Sequence, residues 1–287
     1  MSRADSLRDD PQAMAQLWPL ANVIVLDEDG TALAEESGAL LICKGASLRP
    51  VPGEALLLGL DGEQAWFAAC AGSVEVAAPH RADLRRAAAS WPAAHAAAFA
   101  FARAMQYWRA RTRYCGACGG ALESRRGGYV AHCIGCSSDH YPRVDPAVIV
   151  AVSDGERLLL GRQAGWPERR FSVIAGFVEP GESLEQTVMR EVLEETRVRV
   201  RSCRYLGAQP WPFPGALMLG FIADAEPDLP QVDGELEEAR WFSVEEIGAA
   251  RLRGKDDPEG VLLSPAISIA RSLIDYWYLE MIASHGR

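Results

Sequence analysis

The sequence predicts an α+β protein built from more than one domain. Three observations carry this. Short apolar runs separated by turn residues occur in two blocks of the 287-residue chain. One strongly periodic helix sits inside the second block, and four cysteines in two close pairs stand between the blocks.

In chain order, the first block alternates Val23 to Leu26, Leu40 to Cys43, Leu56 to Leu58 and Trp66-Phe67, with Gly30, Gly45, Gly53, Gly62 and Gly72 between them. This is the pattern of a small sheet domain. From Arg81 to about Arg111 alanine predominates, with Phe99, Phe101, Met105 and Trp108 interspersed, and a helix is expected, started or broken at Pro92. After Pro146 the second block offers strands at Val148–Val152, Arg157–Gly161, Val200–Leu206, Leu217–Ile222 and Glu238–Phe242. Helices are expected over about Ser183–Thr196 and Pro265–Ile282. The expected domains are residues 1–110, 111–141 and 142–287, and no internal repeat is visible.

Composition narrows the class. Net charge is −10, which disfavours wrapping duplex nucleic acid over the whole surface. Six arginines (103, 109, 111, 113, 125, 126) nevertheless fall between Arg103 and Arg126 against one acid, Glu123. A solvated rim accounts for such a run, and a phosphate- or RNA-facing patch is the alternative. Charges interrupt every apolar stretch short of membrane length, and residues 1–16 lack the pattern of a secretion leader, so a cytoplasmic protein without membrane contact is expected.

Cys115-Gly-Ala-Cys118 and Cys133-Ile-Gly-Cys136 are two C-x-x-C knuckles 14 residues apart. Each tight turn aims two sulfurs at one point, and four thiolates close the tetrahedron of one structural Zn²⁺. The bland role is a staple joining domains. Cys43, Cys70 and Cys203 stand alone and read as small buried hydrophobes.

The strongest signal is Gly176, five residues, Glu182, seven residues, then Arg190-Glu191-Val192-Leu193-Glu194-Glu195. On a helix Glu191, Glu194 and Glu195 share one narrow arc, in line with the apolar Leu184 and Val188. Carboxylates facing an apolar interior and one another are costly, and hard divalent cations, Mg²⁺ or Mn²⁺, remove both penalties. Arg190 can hold one carboxylate through a bidentate contact, with Glu194 four residues on. A solvated acidic face is the bland alternative, but the full spacing arises by chance on the order of once in 10⁵ chains of this length.

This spacing resembles the Nudix box, the signature of hydrolases acting on nucleoside diphosphates linked to another group. Arg197 stands where that family usually has glycine, and a left-handed exit there costs a non-glycine residue about 1 kcal/mol. Downstream, Gln209-Pro-Trp-Pro-Phe-Pro214 resembles the tag of the NADH pyrophosphatase branch, with Ala208 and Ala216 where serines are usual. Tyr141-Pro142-Arg143 and Ser268-Ile-Ala-Arg271 also look like motifs of that branch, whose order is a small N-terminal domain, a zinc ribbon and a Nudix domain. The resemblance implies the Nudix fold, a mixed sheet sandwiched by helices. It further implies Glu191, Glu194, Glu195 and Glu235 as Mg²⁺ or Mn²⁺ ligands, with Glu237 and Glu238 as competitors for the last. Glu195 is expected to orient or deprotonate water, with Arg190 in support. Phe177, Tyr141, Gln209 and Ala270 would border the substrate, and a homodimer is implied. The expected reaction is hydrolysis of NADH or NAD to AMP and a nicotinamide mononucleotide, with removal of 5′ NAD caps from RNA as a second substrate class. The competing reading is a catalytically silent nucleic-acid-binding or regulatory protein.

Overall fold

A computed structural model describes residues 1–48, 55–232, 234–253 and 259–285, so Gly53 lies outside the described residues. It divides into two units, residues 1–143 with 212–214, and residues 144–211 with 215–287.

The first unit opens with helix α1 (Pro11–Leu17), capped by Asp10, whose carboxylate accepts from the Gln12 and Ala13 amides. Six strands follow: β1 (Asn22–Leu26), β2 (Ala32–Ala34), β3 (Ile42–Lys44), β4 (Leu56–Asp61), β5 (Gln64–Cys70) and β6 (His80–Ala82). They form one sheet in the order β4-β5-β1-β2-β6, with β3 on β1 and the β1–β5 pair parallel. Helices α2 (Leu84–Ser90) and α3 (Ala93–Arg111) come next, with Pro92 at the N-cap of α3, as the sequence expectation has it. Alternation sorts β1 onto two cores: Ile24 and Leu26 pack with Phe99 and Trp108 of α3, while Val23 and Val25 pack with Met14 and Trp18. The cysteine segment supplies β7 (Leu122–Arg125), β8 (Val130–Cys133) and β9 (Asp139–His140). It shares the α3 core through Leu122, Tyr129 and Ala131, and Tyr129 donates to the Leu57 carbonyl at 2.9 Å.

The second unit holds β10 (Asp145–Ser153), β11 (Leu158–Arg162), β12 (Arg170–Phe171), β13 (Ile174–Phe177), α4 (Leu184–Thr196), β14 (Val200–Trp211), β15 (Ala216–Ala225), β16 (Glu238–Phe242), α5 (Val244–Leu252), β17 (Leu262–Leu263) and α6 (Ile269–His285). Its sheet runs β14-β15-β10-β11-β16, with β13 on β10 and the β10–β15 pair parallel. β10 is central and buried on both faces, which explains its unbroken apolar run. Val148, Val150 and Val152 pack toward α4, and Ile149 and Ala151 toward α6.

Strand for strand, the two sheets have the same order and the same pair directions. This corrects the reading that the chain has no internal repeat. The repeat lies in topology, because each core is satisfied by any apolar residue of suitable size and so leaves little common sequence. The copies differ at one connection. Between β13 and β14 the chain inserts α4, whereas among the described residues joining β3 to β4 there is only a single 3₁₀ turn, Gly45–Ser47. In the first unit Met14 and Trp18, from the N-terminal segment, cover the sheet face that α4 covers in the second.

Candidate catalytic helix and cysteine centre

Helix α4 is fixed at both ends. Ser183 and Gln186 form a reciprocal capping box, with bonds of 3.2 and 2.8 Å. Arg197 ends the helix at φ 60°, the left-handed exit expected from the sequence, and its amide reaches the Leu193 carbonyl at 2.9 Å. Val188 and Val192 are wholly buried, contributing roughly 1.5–3 kcal/mol each, and Glu195 lies on the same stripe at 5% exposure. Of the three helix glutamates Glu195 is therefore the most inward, while the Glu194 side chain is 59% exposed.

Arg190 organises the remaining acids. Its Nε and Nη2 donate to Glu182 at 2.6 and 2.9 Å, and its Nη1 reaches Glu191 at 2.9 Å and Glu194 at 3.1 Å. Nη2 also donates to the Phe177 carbonyl at 2.9 Å, which ties the end of β13 to the helix. The bidentate partner is thus Glu182. The sequence expectation offered Glu194, which receives a single contact; Glu182 precedes the helix, so helical spacing does not reveal the pair. Arg190 pulls the Glu182 carboxyl down to about 2, aided by the Glu179 amide and the Thr187 hydroxyl, while the arginine itself is raised. Glu191 moves the other way. Burial raises it, the like charges of Glu194 and Glu235 add to the rise, and Arg190 opposes them.

Gly176 is dictated by the same group. A Cβ built there would stand 1.9 Å from the Glu191 carboxyl carbon, so only glycine lets β13 pass so close to the acid. Gly181, at φ +97°, turns the chain ahead of Glu182. Glu237 pairs with Arg162, and Glu238 lies 3.7 Å from Arg240. Glu235 is the acid of that loop whose charge reaches Glu191.

The other expected site residues are dispersed. Phe177 is 61% exposed beside the Arg190 clamp, and Tyr141, 64% exposed, belongs to the first unit. Gln209 lies in β14, where both ends of its amide are engaged: Nε2 donates to the Ile267 carbonyl and Oε1 accepts from the Ile269 amide, both at 2.8 Å. It pins the start of α6, where Ala270 is buried. The proline-locked tag is split, since Gln209, Pro210 and Trp211 are strand while residues 212–214 group with the first unit. There Phe213 packs on the α3 core beneath the guanidinium groups of Arg85 and Arg103, at 4.2 and 5.0 Å.

Among the described residues, Cys115, Cys118, Cys133 and Cys136 are the only group of three or more His, Cys, Asp or Glu whose ligand atoms all lie within 4.8 Å of one another. The Cys115–Cys136 and Cys118–Cys133 sulfurs are 3.6 and 3.4 Å apart. Amides of Gly120, Gly135 and Cys136 donate to these sulfurs at 3.3–3.4 Å, and a Cβ on Gly120 would meet the Cys133 sulfur at 3.1 Å. The arrangement fits one tetrahedral zinc with no open position. The three lone cysteines are half-buried; burial raises the Cys43 and Cys203 thiols.

The arginine run resolves mostly into structure. Arg126 pairs with Asp5 and Asp9, Arg103 donates to the Pro212 carbonyl, and Arg111 stacks on Tyr107 at 3.7 Å. No helix of the described residues is long and apolar enough to cross a membrane.

Comparison with known proteins places this geometry among relatives. The profile described as NUDIX domain matches residues 143–263, and that described as NADH pyrophosphatase-like rudimentary NUDIX domain matches residues 21–108. The NAD-capped RNA hydrolase NudC of Mycobacterium bovis is 39% identical over 290 residues, covering 96% of this chain and 91% of that protein. The human NAD-capped RNA hydrolase NUDT12 is 40% identical over 187 residues, covering 61% of this chain and 40% of that protein. A solved NUDIX hydrolase from Nitrosomonas europaea aligns with TM-score 0.41 and 28% identity over 46% of this chain and 78% of its own.

Proposed function

The chain belongs to the Nudix hydrolases, in the branch that joins an NADH pyrophosphatase-like N-terminal domain to a Nudix domain, and on that footing we propose that it hydrolyses the pyrophosphate of NADH and NAD to AMP and nicotinamide mononucleotide. The observation that carries the reading is the Arg190 clamp, which gathers Glu182, Glu191 and Glu194 beside the buried Glu195. A silent binding protein has no use for a cluster of acids that repel one another, one of them buried in the core.

Glu191, Glu194, Glu195 and Glu235 are the residues that would hold Mg²⁺ or Mn²⁺, and the burial that raises Glu191 is the strain such ions relieve. Such cations would supply charge neutralisation of the diphosphate and a lowered pKa for the attacking water. Glu195, enclosed by the core, is the residue that would accept the proton from that water. Arg190 keeps Glu191 and Glu194 in position and does not itself move a proton. Phe177 and Tyr141 flank the nicotinamide nucleotide, and Gln209, held by the α6 backbone, forms a fixed border of the pocket with Ala270. One zinc on the cysteine quartet is structural. The reading extends to a cytoplasmic homodimer whose chains divide at residues 1–110, 111–141 and 142–287.

The same bond closes the NAD cap of an RNA 5′ end, and the Mycobacterium bovis and human relatives carry the name of cap hydrolases, so capped RNA is the second proposed substrate. The test is incubation with NADH and Mg²⁺ or Mn²⁺, with products resolved beside Glu195→Gln. AMP and reduced nicotinamide mononucleotide are expected from the wild type, with turnover of the variant lower by about 10²–10⁴-fold. A loss of tenfold or less removes Glu195 from its role, and no products from either protein overturns the reaction.

A further inference from the structure

Around the cysteine quartet every sulfur has a further partner, and one of those partners differs in kind from the rest. The Gly120 amide donates to Cys118 at 3.4 Å, and the Gly135 and Cys136 amides donate to Cys133 at 3.3 and 3.4 Å. Cys136 lies 3.3 Å from the Ser138 hydroxyl. Cys115 instead meets a ring, with the His140 Nε2 standing 3.3 Å from its buried sulfur. The register of the ribbon puts the ring there. His140 on β9 is opposite Ala131 on β8, and Asp139 is opposite His132. Residues paired across strands share a face, and neighbours along a strand alternate. Ala131 belongs to the α3 core, so His140 turns inward with it, while His132 and Asp139 meet on the other face at 2.6 Å. The four sulfurs converge within 4.8 Å of one another, and no His140 nitrogen joins that group. His140 thus touches Cys115 without lying close to all four sulfurs, which is the place of an outer partner and not of a ligand.

We infer that His140 is a positioning residue of the metal centre: it donates its Nε2–H to the Cys115 thiolate and thereby sets how tightly the ribbon holds its ion. Four thiolates on one Zn²⁺ leave the centre net negative, and each donor that approaches a sulfur withdraws part of that charge. A thiolate only accepts, so the proton belongs on Nε2 and a neutral ring is enough. Among the described residues no backbone amide donates to the Cys115 sulfur, so the side chain does there what amides do for Cys118 and Cys133. The inference rests on the quartet holding zinc and on nothing assigned to helix α4.

The test compares the full chain with His140→Phe, which keeps a ring without a donor, and with His140→Gln, whose Nε2 can still donate. Zinc content of the unmodified protein is measured first, and no bound zinc overturns the quartet reading and the proposal with it. With zinc bound, competition against a chromophoric chelator is expected to show affinity lower by about 10–100-fold in His140→Phe and largely restored in His140→Gln. In the cobalt-substituted proteins the sulfur-to-cobalt charge-transfer band is expected at longer wavelength in His140→Phe, because a thiolate without its hydrogen bond gives up an electron more readily. The ligand-field bands should remain those of a four-sulfur tetrahedron throughout. Equal affinity in all these proteins overturns the proposal. An equal loss in both variants overturns the donation and leaves the ring a packing role. A spectrum of mixed sulfur and nitrogen ligation in the unmodified protein makes His140 a ligand, and that overturns it too. Nitrogen chemical shifts of the zinc-loaded unmodified protein check the bond with no variant that must fold: a protonated His140 Nε2 is expected, and a bare one overturns the assignment.

Discussion

At the scale of single residues, the site depends on an absent atom as much as on the present ones. Gly176→Ala places a methyl inside the Glu191 carboxylate, so the acid must move. Turnover is expected to fall by about 10²-fold or more while the melting temperature shifts little, since the buried stripe of α4 is untouched. Steady-state kinetics beside calorimetry separates the two, and near-normal turnover removes Glu191 from the site. Glu182 makes a prediction with a sign. Arg190 holds its folded pKa near 2 against an ordinary 4.5, and a depressed carboxylate stabilises the fold above its unfolded value and ceases to as pH falls through the folded one. Glu182→Gln should therefore flatten the acid limb of stability between about pH 4.5 and 2, read from denaturant melts across that window. An unchanged limb means that the clamp adds nothing to the fold.

At the scale of elements, Gln209 is the least expected result. Its side chain bridges β14 to the start of α6, with one bond from each end of its amide committed to the backbone there. Gln209→Leu orphans the Ile267 carbonyl and the Ile269 amide, and a loss of about 2–3 kcal/mol in urea unfolding is expected. A loss under half that means the bridge adds little to the fold. The elements also mark what sequence reading can reach. β16 and the span of α4 were legible because period-2 and period-3.6 patterns are local, and the cysteine quartet because its spacing is local too. The extension of β14 through Pro210 to Trp211 was hidden, because proline argues against strand until an edge position excuses it. β12 and β17 are two residues each, too short to carry a period. The Arg190–Glu182 contact joins a helix to the loop before it, and the Glu191–Gly176 approach joins a helix to a strand, so neither follows from spacing alone.

At the scale of the molecule, the arginine run is less free than its count suggests. Among the described residues, only Arg113 and Arg125 of the six have side chains without a hydrogen bond, ion pair or ring contact. If capped RNA is guided by those two, log kcat/KM against log salt should slope at about −1.4, while free NADH shows little dependence. A slope of −3 or steeper would place the RNA on other cations. The duplicated sheet has a consequence of another kind. One copy carries the loop and helix with the acids, and the other closes the same face with an N-terminal segment, Met14 and Trp18. The reactive part is thus a cassette seated in a frame that stands complete with a different plug. A lineage built on such a frame can retire an active centre by swapping the plug and still inherit a sound body. The retired half, no longer bound to keep mutually repelling acids, is free to drift toward new ligands.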